Sequence, residues 1–171
     1  PKLFEDGYIK IDFAFVQTSA PDKNGFVSLG TSVDIAKAAV LNAKTVIAEV
    51  NSKMPRTFGD GLLPVEKISY GVSCGHDLYQ SKVTPPTDIE MKIGAYVAGL
   101  IEDGSCLQAG IGAIPNAVML ALSDHKNLGI HTEMWSDGAV ALMKSGAVDN
   151  YLKKIHPGKT VSGFVSGSKA V

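Results

Sequence analysis

Along this chain, short unbroken apolar runs alternate with apolar residues at helical spacing. IDFAFVQTSA (11–20) is an apolar and aromatic run that passes into PDKNGF, where Pro, Asn and Gly supply what a turn needs, so a strand entering a loop is expected. In TSVDIAKAAVLNAK, Val33, Ala36, Val40 and Leu41 recur at helical spacing behind the candidate caps Thr31 and Ser32. TVIAEV (45–50) then reads as a continuous apolar strand. A polar loop, NSKMPRTFGDG, follows, then a strand around VEKISYGV. The Pro pair of SKVTPPTD (81–88) favours extended structure and suits a linker between domains.

The second half is patterned more clearly. Thr87 and Glu90 have the spacing of a capping box, and Ile89, Ile93, Tyr96, Val97 and Leu100 recur on one helical face behind them. The dipeptide at 103–104 ends that helix. SCLQA predicts a brief strand, and GIGAIP turns into a second helix with Val118, Leu120 and Leu122 among its apolar members. LGIHT (128–132) is the next strand, with Glu133 at its carboxyl end. SDGAVALMKSG predicts a helix closed by Gly146, and KTVSGFVSG a further strand. Alternating α and β patterns predict an α/β fold, with a parallel or mixed sheet and helices on its faces.

Composition narrows the class of partner. With 171 residues, 45% of them hydrophobic, the chain can bury a core as one domain or parts of two. A net charge of -1 gives no broad basic field for nucleic acid, which leaves small molecules as the expected partners. Cys74 and Cys106 lie far apart without metal-ligand spacing, so neither a disulfide framework nor a zinc site is expected, and a reducing cytoplasm fits. No apolar run reaches membrane-spanning length, and the first residues lack the pattern of a signal peptide, so no membrane partner is expected. A start at Pro1 and a stop just after a strand-like run are expected of an internal fragment of a longer protein.

In open α/β sheets, ligands collect outside the carboxyl ends of the strands. Two strand ends here carry chemistry. The first passes into Gly110, Ile111, Gly112 and Ala113, where backbone N–H groups can approach a phosphate or a developing oxyanion. The second ends in Glu133. Plainer readings exist for both: a tight connection for the glycines, a helix cap or solvated loop residue for the glutamate. Gly110-x-Gly112 with an acid about 20 positions on also imitates a dinucleotide fingerprint, but Pro115 replaces its third glycine. His131 reads as a packed strand residue, Cys106 as a buried small hydrophobe, and Asp137 as a turn or capping residue.

LQAGIGAIPNAV (107–118), GIHTEMWSDG (129–138) and GKTVSGFVSGS (158–168) resemble the acetyl-CoA hydrolase/transferase family, and DFAFVQTSAPDKNGFVSLG and AEVNSKMPRTFGD resemble the end of its amino-terminal domain. The resemblance covers nearly the whole chain and places it near the acyl-CoA:carboxylate CoA-transferases. It implies parts of two related α/β domains: residues 1–84, the later part of the first, and residues 85–171, the earlier part of the second. By resemblance, Glu133 after Thr132 is a covalent nucleophile, Gly110, Ile111, Gly112 and Ala113 serve CoA or an oxyanion, and the loop containing Asn51 and Pro55 contributes to the substrate cleft.

The implied substrates are a short acyl-CoA of acetyl, butyryl or 4-hydroxybutyryl type and a carboxylic acid. Coenzyme A is then a substrate and not a resident cofactor, the chemistry calls for no metal, and the complete protein is expected to be a homo-oligomer. The family's later glycine-rich segment is not among these residues, so activity of this stretch alone is not expected. Two other readings remain open: an acyl-CoA hydrolase on the same scaffold, and a noncatalytic CoA- or nucleotide-binding module.

Overall fold

A short helical turn, Lys2–Glu5 (α1), precedes the first strand, Ile11–Thr18 (β1). Phe26–Ser28 (β2), Ala36–Asn42 (α2), Ala43–Asn51 (β3), Leu62–Pro64 (β4), a 3-10 turn at Val65–Lys67 and Tyr70–Cys74 (β5) follow. The computed structural model describes residues 1–82 and 84–171, and the chain divides into two compact units, Pro1–Tyr79 and Gln80–Val171.

In the first unit, β1, β3 and β5 form a parallel sheet with β3 in the centre, while β2 and β4 pair antiparallel. Val40 of α2 packs with Ala14, Val27, Leu29, Val46 and Leu63. Burying each of the larger members contributes about 2 kcal/mol. Three local expectations change. Thr31 and Ser32 do not cap α2; the Asp34 carboxylate accepts from the amides of Ile35 and Ala36 instead, because it stands next to the helix's first free N–H groups. Leu41 points outward, and Ala38 and Val40 form the inner face. The segment 65–72 is a 3-10 turn followed by a strand, since Pro64 and the Val65–Lys67 turn delay pairing until Tyr70.

The second unit contains Asp88–Ala98 (α3), Cys106–Leu107 (β6), Ala113–Ala121 (α4), Gly129–Trp135 (β7), Asp137–Lys144 (α5) and Val161–Val165 (β8). Its three strands are parallel, with β7 between β6 and β8, and α4 and α5 are the connecting helices. Ile130 and Leu128 meet Met119, Leu122 and Leu142 in the core. The start of the 81–88 stretch is tied to residues after β8: Ser81 N–H donates to Gly167 O at 2.9 Å, and the Ser81 and Ser166 hydroxyls lie 2.9 Å apart. Val83, also in the stretch expected to be a linker, lies outside the described residues. Among the described residues, no helix is long and apolar enough to cross a membrane.

The capping box forms as its spacing predicts. Thr87 Oγ1 accepts from Glu90 N–H at 3.3 Å, and Thr87 N–H donates to Glu90 Oε2 at 2.7 Å. The Thr87 N–H bond foremost, and then the Thr87 hydroxyl donating to Glu90 Oε2 at 2.8 Å, hold the Glu90 carboxyl below its ordinary range. Because the folded value is depressed, the stabilisation is present above the unfolded value and is lost as pH falls through the folded one. Thr87→Ala is expected to cost about 1 kcal/mol at neutral pH. An NMR titration of Glu90 checks the cause: the variant loses the hydroxyl donor but keeps the backbone one, so its carboxyl should return only part of the way towards its ordinary range.

The face that α3 buries differs from the one its large apolar residues mark. Ile89, Tyr96 and Leu100 are exposed, and Gly94 and Ala98 are buried. A Cβ at Gly94 would stand 2.7 Å from the Ala117 carbonyl carbon, so α3 meets α4 almost backbone to backbone. Only the smallest residues fit such a crossing, which turns the larger ones away from it. On α4, Leu120 is likewise exposed, while Ala117 and Met119 point inward with the helix-ending Leu122.

Candidate active site

The site is built on β7. The strand does not end at Thr132 as its apolar run predicts; it continues to Trp135 because Met134 and Trp135 pair with Phe164 and Val165 of β8. Side chains alternate along it: Ile130 and Thr132 are buried, and His131 and Glu133 are exposed. Glu133 therefore lies within the strand, with its carboxylate on the open face. Among the described residues that carboxylate has no hydrogen-bond partner.

Thr132 joins the glycine turn to this strand. Its Oγ1 accepts from Ala109 N–H at 3.1 Å and has two carbonyl acceptors in reach, Ala109 O at 2.8 Å and Met134 O at 3.0 Å. The β6–β7 ladder matches Leu107 with Ile130. Beyond the ladder, the Thr132 hydroxyl holds Ala109, and with it the start of the glycine turn, against β7. Thr132→Val keeps the shape but leaves part-buried backbone groups of Ala109 and Met134 without this partner, for an expected loss of about 1 kcal/mol. Thr132→Ser should restore most of it, as comparison of the two variants by chemical unfolding will show.

On the other flank, Ser162 pairs with Thr132 and Phe164 with Met134, which leaves Gly163 alongside Glu133. A Cβ at Gly163 would come within 3.1 Å of Glu133 O. Sequence reasoning missed Gly163, although a glycine inside a strand signals close approach of backbone or ligand. On this flank the exposed carboxylate thus has a neighbour without a side chain.

The two glycines of the turn play different parts. Gly112 has φ 123 and ψ -178, a conformation confined to glycine, and it starts α4. Gly110 has ordinary space around it, with Pro115 Cγ the nearest obstacle at 3.9 Å. The Pro115 ring is accommodated in the first turn of α4, where its missing N–H breaks no helical hydrogen bond. The turn opens on a cavity of about 370 Å³ that Ser81, Lys82, Gly112, Asn116, Asp137 and Ser166 help to line. Ile111 and Ala113 also line it, whereas Glu133 and Gly110 do not.

The other expected residues are distributed over both units. Asn51 is fully buried in the first unit; its Nδ2 donates to His76 O at 3.0 Å and its Oδ1 accepts from Lys53 N–H at 2.9 Å. Pro55 is exposed in the same loop. Asp137 accepts from Ser168 N–H at 2.9 Å and from the Ser168 hydroxyl, so it orders the segment after β8 instead of making a local turn. Cys106 is exposed because its two-residue strand lies at the sheet edge, and His131 is exposed because it falls on the open face of β7.

A parallel α/β sheet with a strand-borne carboxylate beside a glycine turn and a helix start matches the CoA-transferase class in its fold. Residues 1–78 match the family model described as acetyl-CoA hydrolase/transferase N-terminal domain. The whole chain is similar to named CoA-transferases. It is 49% identical to the 4-hydroxybutyrate coenzyme A transferase of Clostridium kluyveri, over 99% of this chain and 39% of that protein. It is 44% identical to the succinyl-CoA:acetate/propanoyl-CoA:succinate CoA transferase of Fasciola hepatica, over 100% of this chain and 36% of that one. The crystal structure of 4-hydroxybutyrate CoA-transferase from Porphyromonas gingivalis superposes with a TM-score of 0.94 at 42% identity, covering 99% of this chain and 43% of the other. The chain thus spans well under half the length of these relatives.

Proposed function

We propose that the protein to which this chain belongs is an acyl-CoA:carboxylate CoA-transferase for short acyl groups, with Glu133 as its covalent nucleophile. The observation that carries this reading is the exposed Glu133 carboxylate held on a central strand, flanked by Gly163 of β8, where no side chain stands beside it. The similarity to several named CoA-transferases supports the same reaction class.

In the first step a Glu133 oxygen attacks the thioester carbonyl, the carbon–sulfur bond breaks, and an acyl-glutamyl anhydride and CoA thiolate form. The thiolate then attacks the glutamyl carbonyl, giving a glutamyl-CoA thioester and releasing the first carboxylate. The acceptor carboxylate attacks that thioester to form a new anhydride and thiolate, and attack by the thiolate on the acceptor's acyl carbon returns Glu133. Each bond formed is about as reactive as the one broken, so the thioester's energy is conserved without a further energy source.

The residues around Glu133 serve this sequence by placement. Thr132 sets the glycine turn against the nucleophile's strand, and the amides at the start of α4 can stabilise negative charge, a contribution on the order of 3 kcal/mol per well-placed donor. The cavity beside Gly112, with Lys82 among its lining residues, suits an anionic portion of CoA.

Borohydride reduction of the complete protein after incubation with acetyl-CoA or butyryl-CoA, followed by peptide mass spectrometry, tests the proposal. Reduction confined to Glu133 and dependent on acyl-CoA is expected. An unmodified Glu133 in a protein that turns acyl-CoA over would overturn the covalent role. CoA release without an acceptor acid would instead indicate a hydrolase.

A further inference from the structure

Glu49, Cys74 and His76 converge in the first unit, and the transfer chemistry uses none of them. Across the parallel ladder Glu49 faces Val72, and Asn51 faces Cys74. Cys74 lies two residues beyond Val72 and so presents its side chain on the face that carries Glu49. The chain turns at Gly75, and His76 Nε2 comes 2.8 Å from Glu49 Oε1. One carboxylate oxygen, one sulfur and one ring nitrogen then lie within 4.8 Å of one another.

We propose that Glu49, Cys74 and His76 form a binding site for zinc or a similar borderline divalent transition-metal ion, with the fourth coordination position open to solvent. The donor set carries the chemical argument. Thiolate, imidazole and carboxylate together suit a four-coordinate ion of the zinc type, whereas magnesium and calcium take oxygen ligands. Bond lengths of such an ion put tetrahedral donors roughly 3.5 Å apart. The three atoms need to close in from within 4.8 Å of one another, and none of the three residues is buried, which leaves room for the side chains to turn.

The surroundings orient these donors. Gln17 Nε2 donates to Glu49 Oε2 at 2.7 Å and leaves Oε1 facing inward. With Nδ1 donating to Asp77 O at 3.1 Å, His76 turns Nε2 towards the other two ligands. A histidine ligand commonly donates its second ring N–H to a carbonyl in this way. A backbone bond from Ser52 N–H to Cys74 O at 3.1 Å, and the Asn51 side-chain Nδ2 donating to His76 O, pin the strand end that carries two of the ligands. Spacing along the sequence conceals the set, because Glu49 comes from a different strand.

Titration of the complete, metal-stripped protein with Co2+, followed by absorption, tests the site. One equivalent is expected to produce a thiolate-to-cobalt charge-transfer band in the near ultraviolet, which Zn2+ abolishes by displacement. Cys74→Ser should remove the band, Cys106→Ser should retain it, and His76→Ala should weaken Co2+ binding at least tenfold. His76 is exposed, so its replacement leaves the fold intact, as circular dichroism will verify. Absence of the band in the unaltered protein, or its persistence in Cys74→Ser, would overturn the proposal. Neither outcome bears on Glu133.

Discussion

Glu133→Ala in the complete protein is expected to lower transfer turnover on the order of 10³-fold or more, while acyl-CoA still binds. The side chain points to the open face of β7 and makes no hydrogen bond among the described residues, so its removal leaves little behind structurally. A loss of this size at nearly unchanged stability belongs to a group that forms bonds in the reaction. Glu133→Asp sharpens the test. It keeps the charge but draws the carboxylate back by about one methylene, and a misplacement near 1 Å can cost about 10²-fold. Full turnover in Glu133→Ala would refute the mechanism. Equal loss of binding and turnover would assign the residue to substrate capture instead.

The largest stability effect is expected at Gly94. Gly94→Val should destabilise the second unit by about 2–3 kcal/mol, because the added Cβ meets the carbonyl carbon, oxygen and Cβ of Ala117 at 2.7, 2.8 and 3.0 Å. Backbone atoms cannot swing aside as a flexible side chain does, so α3 must lift from α4. Gly94→Ala meets the same obstacle, offset by up to about 1 kcal/mol of improved helix propensity, and should fall between Gly94→Val and the unaltered chain. Urea unfolding followed by fluorescence of Trp135, the chain's single tryptophan, reports on this unit. An unchanged midpoint in Gly94→Val would show that the helices separate at little cost.

Much of the architecture was legible before any coordinates. The apolar runs at 11–20 and 45–50 mark β1 and β3, and the Thr87–Glu90 spacing marks the start of α3 with its reciprocal bonds. These signals are local: strand runs and capping boxes act over a few residues, so the chain itself carries them. The same locality explains why Thr31 and Ser32 misled, since Asp34 is nearer the free amides of α2 and takes them first.

The candidate site was legible in part. Glu133 and the glycine turn stood out by residue type and by family resemblance, but their proximity depends on the β6–β7 register and the Thr132 hydroxyl bonds to Ala109. Gly163 enters only through pairing with β8, and Glu49 meets Cys74 and His76 only because β3 and β5 are neighbours.

Local periodicity, turn chemistry and residue type were thus determined by the sequence by itself: the alternation of helices and strands, the α/β class, and the glutamate and glycines with chemical potential. Tertiary structure decided which face each helix buries, where β7 ends, and which distant residues flank Glu133. The physical reason is that burial and register depend on the size and position of partners tens of residues away. Ala117 admits only a glycine at position 94, and a strand's hydrogen bonds run to whichever neighbour the fold supplies.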